Sequence, residues 1–321
     1  MSSSSSSHTL PARYDASMAT DLASWRARLE EICDEEGYFD PVGAHHHALF
    51  TDEGPVLIVS FETVDQVRAR PGQMPFAVSV AAAHGWSSLT LIADGETWFR
   101  DPAVYRYFDR LIDDAFFEDF DRVVFFGAGM GGYAACAFSV AAPGATVLAL
   151  APRATLAPAV AGWDRRHLAA RKLGFTDRFG YAPDMIEGAG QVFILHDPRE
   201  VEDAMHAALF TKPYVTPLRA PFLGPRPDAA LTSMGLLGPL LEAATEGKLD
   251  ARLFSALWRR RRVYGPWLKT LLNHLEGKSQ WRRALGLCRS VNARVQAPRF
   301  RRRQAELEAQ IARESASEPT A

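Results

Sequence analysis

The chain has 321 residues, 47% of them hydrophobic and 23% charged, with a formal net charge of −2. That balance suits one large core with an appendage, and it excludes a low-complexity chain and a uniformly basic polyanion binder. The cysteines, Cys33, Cys136 and Cys288, are widely spaced and odd in number, which excludes a disulfide framework or CxxC metal site and fits a reducing compartment.

The first ten residues, MSSSSSSHTL, have no basic segment followed by an apolar one, so they do not read as a secretory signal. A serine run buries no apolar surface, and residues 1–20 are expected to form a disordered tail. No stretch reaches the roughly 18 apolar residues of a membrane span. A cytoplasmic location is therefore expected.

In chain order, Asp21 to Gly37 carries Leu22, Trp25, Leu29 and Ile32 at helical spacing. His47–Phe50 reads as a short strand. Val56–Phe61 and Ser88–Ala93 are continuous apolar runs of the kind found in buried parallel strands. Tyr105–Phe120 has helical spacing. Arg122–Phe126 leads through a glycine-rich turn into a small-residue helix. Thr146–Ala151 and Val192–Leu195 are further strands, and Tyr214–Leu218 is a weaker one because of Pro217. Helical segments separate most of these runs. The fold class expected is α/β, with a mostly parallel sheet flanked by helices.

From about residue 226 the strand signals stop. Leu231–Glu246, Leu249–Arg262, Trp267–Glu276, Trp281–Val295 and the end from Arg299 read as helices. Between Arg259 and Arg303 there are fourteen Arg or Lys and one acid, Glu276. Three parts are thus expected: a tail over 1–20, an α/β domain over 21–226, and a basic helical appendage over 227–321.

The informative segment is Gly127-Ala128-Gly129-Met130-Gly131-Gly132-Tyr133. A dinucleotide-binding turn would read G-x-G-x-x-G, which Gly127, Gly129 and Gly132 satisfy. That turn normally follows the first strand, and an acid should end the next one. Here the turn comes after several strands, and the next one runs into Leu150-Ala151-Pro152-Arg153. The other reading is a nucleophile elbow, G-x-S-x-G, on a sharp strand-to-helix turn. Gly127 and Gly131 take the flanking positions, and Gly129 stands where the serine would be. Glycine keeps such a turn and relaxes its strain, but it supplies no attacking oxygen.

The segment resembles the G-S-S-M-G-G-Y-A-A elbow of a branch of bacterial α/β hydrolases, some of them associated with capsular polysaccharide loci. Asp94–Phe99, Leu150–Leu156, Trp163–Arg166 and His196-Asp197-Pro198 extend the resemblance over roughly residues 56–240. It implies an α/β-hydrolase-like fold and a triad in the chain order Ser, acid, His. Asp197 fits the acid, as a vestige or as a helix cap. Where that branch has Gly-His, this chain has Gly224-Pro225. Two triad positions are therefore unfilled, which argues against acyl transfer by this mechanism.

Ligand-binding candidates around the elbow are Gly127, Gly129, Met130, Gly131, Phe61, Glu62 and His196. The backbone N–H groups of a glycine-rich turn at a helix start can cradle a small anion. Cys136 and Ser60 are the alternative nucleophiles, and both read more simply as packed residues. His45-His46-His47 cannot all converge from one strand, and no metal or cofactor is expected. Arg259, Arg260, Arg261, Arg262, Arg301, Arg302 and Arg303 could dock a protein or a polyanion. The leading reading is a catalytically degenerate hydrolase-like protein that acts by binding a ligand or partner. Its alternative is an active hydrolase or transferase on an ester or acylated saccharide, with a site rebuilt from Asp197, His196 or Glu62. A phosphoadenosine phosphosulfate reductase would need an S-G-G-K-D-type loop and a late E-C-G-x-H segment. Cys288 instead lies in LGLCRSV.

Overall fold

A computed structural model describes residues 13–34 and 37–317. Eight strands form one sheet: β1 Gly37–Val42, β2 His46–Thr51, β3 Val56–Thr63, β4 Ser87–Ala93, β5 Arg122–Ala128, β6 Thr146–Leu150, β7 Gln191–His196 and β8 Val215–Arg219. Their order across the sheet is β1-β2-β4-β3-β5-β6-β7-β8. β2 runs antiparallel to both β1 and β4, and every other pairing is parallel. Each parallel pair is linked through helical segments on the sheet faces, as crossovers require. This is the α/β-hydrolase-like architecture expected from the sequence.

Both faces of the central strands are buried, which explains their unbroken apolar runs. On one face Phe61, Phe108 and Phe138 stack, with ring centroids 4.5 to 6.0 Å apart. On the other face Trp25 and Leu29 pack with Leu49, Val78 and Ile92. The first helix is Leu22–Cys33, capped by Asp21 and Ser24 in a reciprocal box. Tyr14 and Ala16 are buried in the same cluster, so the part of the expected tail that is described here is packed. Residues 1–12 lie outside the described residues.

One segment expected as a single helix is divided. Residues 231–246 form Pro227–Ser233 and Leu237–Thr245, separated at Gly235, which has a φ of 63°. The second of these packs on β5 and β6. The chain accordingly divides after Phe254 rather than at 226. The second compact unit, Ser255–Ala321, contains the helices Gly265–Gly277, Trp281–Asn292 and Pro298–Ser317. Leu268, Leu272, Leu285, Cys288, Val291 and Leu307 form its core. Among the described residues, no helix is long and apolar enough to cross a membrane.

Candidate functional site

β5 ends in the elbow. Gly129 has φ 58° and ψ −114°, a strained conformation that L-residues with side chains rarely adopt, and the helix Met130–Phe138 starts directly after it. The N–H of Gly129 donates to the Leu150 carbonyl on β6 at 2.8 Å. The flanking glycines allow close approach. A β-carbon on Gly127 would lie within 3.0 Å of the Gly131 carbonyl oxygen, and one on Gly131 within 3.0 Å of the Phe61 carbonyl oxygen. Gly129 differs, because a β-carbon there would meet no atom within 4 Å. The turn has the shape that presents a nucleophile into open space, without the nucleophile.

That space is an open cleft of about 350 Å³. Gly129 and Met130 border it, together with Thr63 at the end of β3, Glu96 after β4, Arg153 after β6, and His167. Residues following four neighbouring strands thus converge where the chain, having stepped from β3 to β4, crosses back to β5 on the other side of β3. Open α/β sheets place their ligand crevices at such a switch point.

A polar pair lines the cleft. His167 Nδ1 lies 2.5 Å from Glu96 Oε1, and Trp98 Nε1 donates to the same oxygen at 3.1 Å. Trp98 packs edge-on against the imidazole at 5.0 Å, and its backbone N–H donates to Met130 Sδ. A proton on Nδ1 shared with Glu96 leaves Nε2 as the basic nitrogen. Among the described residues Nε2 has no hydrogen-bond partner. The Thr63 hydroxyl is committed to Gln66 in a capping box.

Arg153 is nine-tenths buried. Its Nη1 donates to the Ala151 carbonyl at 2.7 Å and stands 3.2 Å from Asp203. Behind it, Arg166 donates to both oxygens of Asp164 and reaches Asp203 at 2.7 Å. Burial opposes ionisation of Asp164, but the hydrogen bonds from Arg166 and His206 win and hold its carboxyl below the usual range. His206 Nδ1 accepts from the Ala154 N–H, which leaves Nε2 to donate to Asp164 at 3.0 Å. Burial pushes His206 down to about 4, so it is neutral near pH 7. Burial also lowers Arg153 from its ordinary value.

The other residues singled out from the sequence have different surroundings. Phe61 lies in the aromatic core. Glu62 is buried, ion-paired with Arg70, and accepts from the Phe76 N–H at 2.8 Å. His196 is buried at the end of β7, and burial lowers its pKa. Asp197 accepts from the Arg199 N–H and the Gly224 N–H, both at 2.9 Å. None of these four borders the cleft. Asp197 thus caps the turn after β7 and ties down the loop whose next residue, Pro225, stands where the resemblance places histidine. Ser60 pairs with Thr90 inside the sheet at 2.8 Å. Cys136 is fully buried, and burial pushes its thiol well up, away from thiolate reactivity. His45 is exposed, His46 bonds Thr97, and His47 stacks on Phe39.

In the second unit, Arg259, Arg260, Arg262, Arg301 and Arg302 are exposed. Arg261 lies over the rings of Trp258 and Trp267, and Arg303 pairs with Glu276 and Glu306. Part of the basic run is therefore internally neutralised.

No family model and no curated protein matches the chain. Solved structures do resemble it. Acylaminoacyl peptidase of Pyrococcus horikoshii is 11% identical with a TM-score of 0.45, and the match covers 69% of this chain and 45% of that one. Brefeldin A esterase, a bacterial homologue of human hormone-sensitive lipase, is 16% identical with a TM-score of 0.41, covering 77% and 82%. The capsule O-acetyltransferase of Neisseria meningitidis serogroup A is 11% identical with a TM-score of 0.44, covering 65% and 94%. This chain spans less than half of the peptidase. Likeness at this level concerns the fold, and the strand order given above carries that independently.

Proposed function

On this α/β-hydrolase-like scaffold, we propose that the protein acts by binding a small ligand in the elbow cleft, and that it has no serine-hydrolase chemistry. The observation that carries the reading is Gly129: the elbow conformation is retained with the side-chain space open and no hydroxyl present. Two further facts support it. Asp197 is engaged by backbone N–H groups, and neither Ser60 nor Cys136 borders the cleft. Without a nucleophile, a scaffold of this kind retains binding and oxyanion effects alone. The test is exposure of the full chain to a fluorophosphonate probe and to p-nitrophenyl acetate. Absence of covalent labelling and of a burst is expected; stoichiometric labelling of any serine in the α/β unit would end the reading.

A second reading is favoured by one observation, the His167–Glu96 pair at the cleft. A carboxylate-oriented imidazole can serve as a general base toward water, which would make the protein a hydrolase without a covalent intermediate. It predicts slow, burst-free ester turnover that His167→Gln removes.

A further inference from the structure

Arg153 is a buried cation whose donors are only partly used, although the carboxylates of Asp203 and Asp164 stand 3.2 and 3.8 Å away. A guanidinium carries five N–H groups. Among the described residues the hydrogen bonds of Arg153 come from Nη1 alone, to the Ala151 carbonyl. Nε is buried with no hydrogen-bond partner, and the nearest carboxylate oxygen, on Asp164, is 3.8 Å away. The well-aligned contacts of Asp164 and Asp203 go to Arg166 instead. Leaving buried charged donors unsatisfied is costly, and natural proteins seldom do so without a use. Arg153 borders the same cleft as Gly129 and Met130. Met130, the first residue of the Met130–Phe138 helix, borders the cleft as well; the first N–H groups of a helix have no intrahelical acceptor, and the helix dipole adds positive potential there.

We infer that the elbow cleft binds an oxyanion group, a carboxylate or a phosphate, carried by a small organic molecule, with Arg153 as the charged recognition residue and the first-turn N–H groups of the Met130–Phe138 helix as the second anchor. The proposal rests on the ligand-binding reading above and names the chemical class of the ligand. Glu96 also borders the cleft, but it is bonded to His167 and Trp98. Asp65, on the exposed rim, disfavours a polyanion and favours a single oxyanion. The volume of about 350 Å³ suits a small organic molecule rather than a polymer.

Inorganic phosphate and acetate are the probes. Each is titrated into the full chain at constant ionic strength, followed by calorimetry and by ³¹P or ¹³C line broadening, with chloride as the balancing salt. Saturable binding of at least one probe is expected. Arg153→Met should weaken it at least tenfold, as loss of a charge-assisted hydrogen bond implies. Arg153 also touches Asp203, so this variant could lose its fold. Gly129→Val places a side chain in the open space and should weaken the same binding while leaving the Arg153 contacts in place. Binding unchanged in a folded Arg153→Met protein, or in Gly129→Val, would overturn the assignment, as would no saturable binding of either probe. The fluorophosphonate result on the same preparation separates the two proposals. Labelling removes the binding reading, whereas clean protein that ignores both anions removes only the ligand class.

Discussion

Two of the elbow glycines should respond to side chains in opposite ways. Gly131 sits where the helix Met130–Phe138 crosses β3, and its would-be β-carbon falls within 3.0 Å of the Phe61 carbonyl oxygen. Ordinary C···O contacts are about 3.3 Å or longer, and both partners are backbone, so the helix must shift away from β3. That shift disturbs the Phe61–Phe138 stack, at 5.7 Å. Overpacking of this kind costs about 3 kcal/mol, and the better helix propensity of alanine returns about 1 kcal/mol. Gly131→Ala should therefore destabilise by about 2 kcal/mol, and Gly131→Leu should prevent the α/β unit from folding. At Gly129 the cost is backbone strain alone, about 1–3 kcal/mol. It is incurred once at alanine, so Gly129→Leu should stay within about 1 kcal/mol of Gly129→Ala. Native-state hydrogen exchange at the β3 and β5 amides, read by mass spectrometry, reports the α/β unit apart from the second unit. A flat size series at Gly131, or a steep one at Gly129, would show that the two positions are not under these opposite constraints.

Three further outcomes are expected. His206 and His46 are both pushed from 6.5 to about 4 by burial; because their folded values are depressed, their neutral forms add stability above pH 6.5 that is lost as pH falls toward 4. Each can account for roughly 3 kcal/mol at the acid limit, and a melting temperature that is flat between pH 7 and 4.5 would contradict this. Asp197→Asn should destabilise by about 1–2 kcal/mol in urea denaturation, because an amide N–H would face a backbone donor, and it should leave oxyanion binding unchanged; loss of binding would make Asp197 part of the site. Glu62→Ala should lower stability by about 1–3 kcal/mol by stripping the partner from Arg70 and the Phe76 N–H, with no effect on ligand titration; a changed titration would return Glu62 to the site.

Much of the sheet was legible because buried parallel strands are continuous apolar runs, as in β3 to β7; the antiparallel β2 and the edge strand β8 were read from shorter or weaker runs. The exception, β1, reads GYFDPV, in which Asp40 and Pro41 suppress the strand signal. Proline is tolerated there because β1 is an edge strand. The elbow was legible because its glycines serve steric needs that spacing alone reveals. The rest of the cleft was not. Glu96 and Arg153 lie in segments that carry the resemblance, Asp94–Phe99 and Leu150–Leu156, and His167 directly follows Trp163–Arg166, but spacing alone does not show that these loops meet at one cleft. One signal could have found two of them: Arg153 follows β6, beside the elbow strand, and Glu96 follows β4, on the far side of β3, both at the C-terminal strand ends where ligand crevices form. Glu62 and His196 also end strands, but alternation turned their side chains away from the cleft. The boundary at 226 followed the loss of strand signals, whereas helices continue to cover β5 and β6 as far as Thr245.

An elbow without a nucleophile is tested most directly by intact-mass spectrometry of the full chain after incubation with a fluorophosphonate, alongside a hydrolase control. Unmodified mass is predicted under conditions that fully label the control, because Gly129 offers no oxygen at the elbow. A single stoichiometric adduct on a serine of the α/β unit would contradict it.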